Sequence, residues 1–471
     1  MSETKRERTH IDDFNRELLD RKNEFNYRYK TRAGLNEEII REISAQKNEP
    51  QWMLEFRLKS LEIYNKLENP PWGADISDLN VDDIITYVRP DSDLSYSWDD
   101  VPEDIKNTFD ELGLVEADQK SLAGVGAQYD SEVVFHSIQK SLTDQGVIYT
   151  DFDTAVKEYP EIVKEYFMKL IPPTDHKYVA LHGAVWSGGS FVYVPEGVHV
   201  DIPIQSYFRQ NAPGTGQFEH TLIIVEKGAW CHFIEGCSAP KYNVNNLHAG
   251  AVELHVKEGA YLRYSTIENW SKNMYNLNTK RAVVDKDGTI EWVSGSFGSR
   301  VSYLYPMSIL RGERAHSEFT GVTFASGKQD LDTGTKVVHA APNTTSNTNT
   351  KSISKGGGNA IYRGLLHIAK NAHGSKATTN CESLMLDNES RADTIPAIII
   401  ENDDVDIGHE AKIGRIPDET IFYLMSRGIS EEEANAMVVR GFVEPVSKAL
   451  PLEYSVEMNN LINLELKGTI G

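Results

Sequence analysis

Seven segments between residues 222 and 409 follow one plan: an apolar strand, a short polar or glycine-bearing turn, then a second strand. They are LIIVEKGAWCHFI, ELHVKEGAYLRYS, RAVVDKDGTIEWV, MSILRGERAHSEF, KVVHAAPNTTSNT, LLHIAKNAHGSKA and AIIIENDDVDIGH, and they recur every 26 to 32 residues. Within a unit the period is two. Val252, Leu254 and Val256 alternate with Glu253, His255 and Lys257, and after Gly259 the pattern resumes at Leu262, Tyr264 and Thr266. One such unit has an apolar face too small to bury by itself, whereas stacked units share a continuous core. The expected fold is therefore mainly β, a solenoid of stacked coils; seven units exceed what one β-sandwich or cupin-like barrel holds. Its ends would be open strand edges, which need covers.

The flanks supply candidates for those covers. From 1 to 172 the pattern reads as helical. Asn36 caps EEIIREI, Leu54, Leu58 and Leu61 form a stripe in EPQWMLEFRLKSLEIYNKL, VPEDIKNTFDELG runs from Pro102 to Gly113, and EIVKEYFMKL starts behind Pro160. The solenoid is expected over 173–416. From 417 to 471 helices return, with Ser430 and Glu433 as a capping box and LPLEYSVEMNNLINLEL as the last helix. This C-terminal region is equally a cover and a docking surface for another protein.

The 471 residues carry 48 Lys and Arg against 70 Asp and Glu, a formal charge of −22, which repels nucleic acid and anionic membrane surfaces. No apolar run approaches a membrane span, and the charged opening MSETKRERTHIDDFNRELLDRK lacks a signal core, so a cytoplasmic location is expected. The 3 cysteines, Cys231, Cys237 and Cys381, make neither a disulfide framework nor a C-x-x-C pair. A four-thiolate iron–sulfur centre within one chain is excluded by count, and a metal held here needs non-thiolate ligands or a second subunit.

Motif searches remove enzyme classes. GVTFASGKQD has the wrong spacing for a phosphate loop and lacks Ser or Thr after Lys328; the HEAKI run at His409 has Ile413 where a zincin needs a second histidine. Asp330 and Asp332 resemble a glycosidase acid pair by spacing alone. What remains lies in the β-region. Cys381, read as opening a strand, precedes His409 and Glu410 by about one repeat, so the three should stack on adjacent coils as a thiolate, imidazole and carboxylate site suited to iron or zinc. The commoner reading of such a cysteine, taken alone, is a small buried hydrophobe. Cys231 alternates with Phe233 as core. Cys237, before SAP, is expected near the surface at a turn, and Arg209, Lys280, Glu219, Glu235 and Glu268 could line an interior path, with a nearby cation lowering a thiol pKa.

The strings IPPTDHKYVALHGAVWSGGSFVYVPEGV, GQFEHTLIIVEKGAWCHFIEGCSAP, STIENW, YNLNTKRAVV, TKSISKGGGNAIYRGLL, ADTIPAIIIENDDVDIGHEAKIGRI, IFYLMSRGISEEEANAMV and LPLEYSVEMN resemble the SufB/SufD family, scaffold proteins of the SUF iron–sulfur assembly machinery, from about residue 49 onward. EGCSAP and LMSRGISEEEA set the chain nearer the SufB branch than the SufD branch. The resemblance implies a right-handed parallel β-helix with helical flanks, and a scaffold that builds a transient iron–sulfur cluster with the ATPase SufC and with SufD or a second SufB copy. It implies sulfur received from SufS through SufE or SufU, a reduced flavin as an optional cofactor of the complex, and delivery to apo iron–sulfur proteins. Cys381 then matches the cluster-assembly cysteine, Glu410 a candidate carboxylate ligand and His409 its neighbour. Cys237 matches the sulfur acceptor, with Arg209, Asn211, Glu268, Trp270 and Lys280 along the path. Glu268 is a departure, since the family often has Gln there, and it places an extra negative charge where an anionic persulfide would pass. The competing reading is a β-helix docking platform that holds no cluster of its own.

Overall fold

The computed structural model describes residues 20, 22–23, 26–111, 122–450 and 452–467. The repeat is a β-solenoid of about 8 turns. Each unit crosses from one parallel sheet to another through its turn. One sheet has 10 strands and the other 14. In-register partners such as Ile290 with Ser317 and Ser346 with Ala377 lie 27 and 31 residues apart, so the sequence period is the circumference of one coil.

The turns are stacked as regularly as the strands. Gly228, Gly259, Asp287, Arg314, Asn343 and Gly374 occupy the same corner with positive φ. Each donates its backbone N–H to a carbonyl of the following coil, as Gly228 does to Glu258 and Asn343 to His373. The left-handed conformation explains why glycine, Asp or Asn holds five of these six corners, Arg314 being the exception.

Apolar side chains fill only part of the interior. The first half of each long strand points Cys231 and Phe233, Leu262 and Tyr264, or Ile290 and Trp292 into one buried cluster with Val252, Leu254 and Val256. Helices cover both outer faces. The helices Glu431–Ala449 and Leu452–Lys467 place Val439, Val443, Met458 and Leu461 on Ile234, Ile267, Val293 and Ile353. On the other sheet, Phe152, Phe167 and Trp186 pack against Leu222 and Ile224. Asn36 caps Glu37–Lys47 by accepting from the Ile39 N–H, and Ser430 caps Glu431–Ala449 through Glu433 N–H, as the sequence suggests.

The region 1–172 is less helical than its pattern. Gly124–Tyr129 adds in parallel to Ile204–Arg209, Glu132–Ile138 turns back on it, and Ile148–Asp151 pairs with Ser190–Val194. Val125, Ala127 and Val134 are buried there, so the solenoid's first coil borrows strands from ahead of its repeats. At the far end no such cover exists among the described residues. Arg391–Ile400 pairs only with Asn359–Ile368, and Val405–Arg415 only with Ser375–Met385, leaving Ile395, Ile398, Ile399, Ile400 and Ile413 exposed.

Candidate functional site

Cys381 lies in the middle of the Ser375–Met385 strand, not at its start: the polar run SKATTN is itself extended, because its threonines pair along the Thr345–Lys355 strand. Its side chain points inward with Ser383, is 2% exposed, and approaches His409 Nε2 at 3.7 Å. His409 sits on the last strand beside Thr379 and shares that inner face. Glu410, one residue on, pairs with Asn380 and therefore points to the opposite face, where its carboxylate meets Lys412 at 3.0 Å. The structure thus joins Cys381 with His409 and separates Glu410 from both. Alternation along a strand is the reason: adjacent residues cannot share a face. Among the described residues no group of three His, Cys, Asp or Glu side chains is arranged to hold a metal ion. Burial pushes the Cys381 thiol up, while contacts with Thr350 and Tyr362 partly counter it.

Cys237 is fully buried rather than near the surface. Ser238 still belongs to the Trp230–Ser238 strand, so the SAP turn begins too late to bring the thiol out. Cys237 packs with Phe208, Trp270 and Met274. Its sulfur lies 4.0 Å from Glu235, whose carboxylate is 3.3 Å from Lys280 Nζ. Lys280 also meets Glu268 at 3.1 Å, and Glu268 accepts from Asn276 Nδ2 at 2.6 Å. Asn276 in turn holds His248, which meets Glu219 at 2.5 Å. Burial first, and then Glu235, Glu219 and Glu268, raise the Cys237 thiol well above its ordinary value; Lys280 opposes them. The expected cation-lowered thiol is therefore overturned: one ammonium faces three carboxylates. The indole N–H of Trp270 finds no acceptor among the described residues.

Arg209 and Asn211 lie elsewhere. Phe208 pairs with Cys237 and shares its inward face, so Arg209 faces out, where Nη1 donates to Ser238 Oγ at 3.1 Å. Asn211 receives the Asn23 N–H on its side-chain oxygen at 3.3 Å, and its own N–H goes to Asp130. Of the path residues named from sequence, Glu268, Trp270 and Lys280 surround Cys237 and the other two lie across the sheet.

Sequence inspection missed what joins the two cysteines. Following the register from Cys237, the inward positions are Glu268, Ser296, Thr323, Ser352 and Ser383. Beginning at Glu235, the adjacent row is Thr266, Ser294, Gly321, Thr350 and Cys381. Two rows of small, mostly hydroxyl-bearing residues thus run inside the sheet over five strand steps, roughly 24 Å. A narrow cavity of about 30 Å³ opens among Ser294, Gly321, Thr323, Thr350 and Tyr362. The signal was present as the Ser, Thr and Gly content of each strand's second half, legible only once the register is known.

Two family models match this chain. The N-terminal region of SufBD proteins spans residues 44–206, and the SufBD core domain of SUF-system iron–sulfur cluster assembly proteins spans 208–442. An iron–sulfur cluster assembly SufBD family protein of Staphylococcus aureus (strain MRSA252) is 52% identical over 94% of this chain and 95% of the relative. The iron–sulfur cluster assembly protein SufB of Bacillus subtilis (strain 168) is also 52% identical, over the same shares.

Proposed function

The chain belongs to the SufBD family of iron–sulfur cluster assembly proteins, and from that membership we propose that it is a scaffold of the SufB kind: sulfur enters at Cys237, moves along the interior hydroxyl rows, and joins iron at Cys381 and His409. The continuous polar lane between two buried cysteines carries this reading. No thiol stands in either row between the two cysteines, so the sulfur that crosses is hydrosulfide. It is released when a two-electron reductant, here the reduced flavin, cleaves the S–S bond of the Cys237 persulfide and returns Cys237 to the thiol. Lys280 and the hydroxyl groups solvate that anion where an apolar core would strand its charge. At the far end, a thiolate and an imidazole bind iron while leaving positions for ligands from outside the chain, and so few thiolates suit a cluster that is to be handed on.

The unpaired edges of the last two strands, with their exposed isoleucines, support docking of SufD or a second copy of this chain beside the Cys381 site. Glu410 stands on the opposite face of the same edge strand, so the ligands beyond Cys381 and His409 come from the docked chain. The helix Asp418–Ser426, with Phe422 and Tyr423 exposed, is the proposed seat of the SufC ATPase. SufS with SufE or SufU as sulfur donor, a reduced flavin as electron source, apo iron–sulfur proteins as recipients and a cytoplasmic location complete the proposal. Among the described residues no helix is long and apolar enough to cross a membrane. The proposed units remain 1–172, 173–416 and 417–471, although the family models divide near residue 207.

Anaerobic reconstitution with ferrous iron and sulfide tests the site. The expected result is visible iron–sulfur absorbance that Cys381→Ser abolishes, with His409→Ala weakening it. Full absorbance in Cys381→Ser would instead favour the docking platform.

A further inference from the structure

A second site lies on the outer side of the solenoid, away from the hydroxyl lane. Where the Thr279–Val284 strand meets the segment before helix Lys177–Val185, a cavity of about 210 Å³ opens between Trp72, Asn278, Arg281, Tyr303, Tyr305 and Lys336. Side chains that line it hold buried polar atoms with no hydrogen-bond partner among the described residues. Asn278 is 3% exposed, yet neither its side-chain nitrogen nor its oxygen has a partner. His176 uses Nε2 toward Thr279 at 3.2 Å and leaves buried Nδ1 without one. Buried amides and imidazoles are rarely left unpaired, because each forfeits its hydration.

Charge gives the cavity its character. Lys336 Nζ stands 5.2 Å from the Trp72 ring centre and 5.1 Å from that of Tyr305, and it makes no ion pair or hydrogen bond among the described residues. The nearby acid, Asp175, is already engaged by Arg281 at 2.9 Å. Asp332, the other acid that acts on Lys336, is held by Arg363 at 2.7 Å, so Lys336 is the cation left over in a recess floored by rings, beside an unused amide that can both donate and accept. Ring faces hold an ammonium in place without neutralising it. The recess spans three successive coils, since Arg281, Met307 and Lys336 are in-register partners on adjacent strands.

We propose that this recess binds a small organic anion, a carboxylate or phosphate group on a flat apolar body, with Lys336 and Asn278 taking the anionic group and the Trp72, Tyr303 and Tyr305 wall taking the body. A bare inorganic anion would leave the aromatic wall unused, and a neutral ring would leave Lys336 unpaired. The proposal is independent of the sulfur lane, since none of its six defining side chains belongs to it.

Isothermal titration of the full-length chain with benzoate, benzamide and inorganic phosphate reads the claim directly. Benzoate is expected to bind saturably in the millimolar range or tighter, with benzamide and phosphate at least tenfold weaker. Lys336→Met should lower benzoate affinity at least tenfold and Lys336→Arg should keep it within a few fold, each with an unchanged melting temperature in the absence of ligand; Asn278→Leu should also lose it. Benzoate that fails to saturate by 10 mM, equal binding of benzamide or phosphate, or unchanged affinity in a folded Lys336→Met protein would each overturn the proposal.

Discussion

Lys280 is the ammonium that faces the buried Glu235 and Glu268, and its removal should be far more damaging than removal of either partner. Losing one member of a buried ion pair leaves an uncompensated charge, a cost of about 3–5 kcal/mol. Lys280→Met strands both Glu235 and Glu268 in that way. Glu268→Gln keeps an acceptor for Asn276 and leaves Lys280 paired with Glu235. Urea unfolding should therefore place Lys280→Met several kcal/mol below the parent chain and Glu268→Gln within about half that loss; equal losses would contradict the charge arrangement. Cys237 offers a second check. Buried and with its thiol raised, it should resist iodoacetamide in the native chain at pH 8 and react once urea opens the fold. Fast native alkylation would contradict that burial, whereas slow alkylation means that sulfur loading at Cys237 requires the docked donor to open the fold around it. At this scale the sequence singles out two cysteines but not their settings. The SAP that follows Cys237 suggests a turn, and a spacing of about one repeat suggests that Glu410 joins Cys381. Neither inference could see which side of its strand the residue faces, and a shift of one residue reverses the face.

Strand edges decide what the elements do next. Four of the exposed isoleucines stand on Arg391–Ile400, which hydrogen-bonds on one side only. Such an edge invites pairing with another chain. Ile399→Lys should leave the melting temperature of the isolated chain within a degree or two, because the residue is 47% exposed, while reducing association with a second β-helix chain by at least tenfold in analytical ultracentrifugation. Unchanged association would move the docking surface elsewhere. At the C-terminal cover, Ser430→Ala removes the acceptor for Glu433 N–H and should cost about 1 kcal/mol. Hydrogen exchange should locate that loss in Glu431–Ala449 rather than in the sheets. Elements were the most legible level of this chain: the repeat gave the strands and their corners, and Asn36 and Ser430 marked real helix starts. The strands at Gly124–Tyr129 and Glu132–Ile138 escaped because GVGAQY lacks a clear alternation, and only pairing with Ile204–Arg209 makes it a strand.

Across the whole molecule, burial has left many imidazoles uncharged. It depresses His136, His176, His232 and His339 to about 4, and His220 and His255 to about 3. In the unfolded chain each titrates near 6.5. Each therefore contributes stability that is fully present above pH 6.5 and is lost as pH falls toward its folded value, by about 1.4 kcal/mol per pH unit. Buried carboxylates act in the opposite sense, Asp130 rising to about 6 and Glu253 to about 7, so stability from these is lost as pH rises through the same window. The imidazoles prevail by number and by size of shift. The urea midpoint should fall steadily from pH 7 to pH 5, and a midpoint that rises on acidification would contradict the assignment. The fold class and the family were legible at this scale, since a repeat of one coil's length admits few architectures. The lane was not, because it is a property of register across six coils and no single strand contains it.

The central claim is that sulfur travels inside the solenoid from Cys237 to Cys381. Loading the chain with ³⁴S-labelled persulfide from a cysteine desulfurase, then following both cysteines by mass spectrometry over time, tests it most directly. With ferrous iron and reduced flavin present, the account predicts label at Cys237 first, as persulfide, and later in iron-bound sulfide held at Cys381, with Cys237→Ser leaving that sulfide unlabelled and Thr323→Leu, which narrows the lane, slowing the second step at least tenfold. Label arriving at Cys381 at the parent rate in Cys237→Ser would show that the lane carries no sulfur.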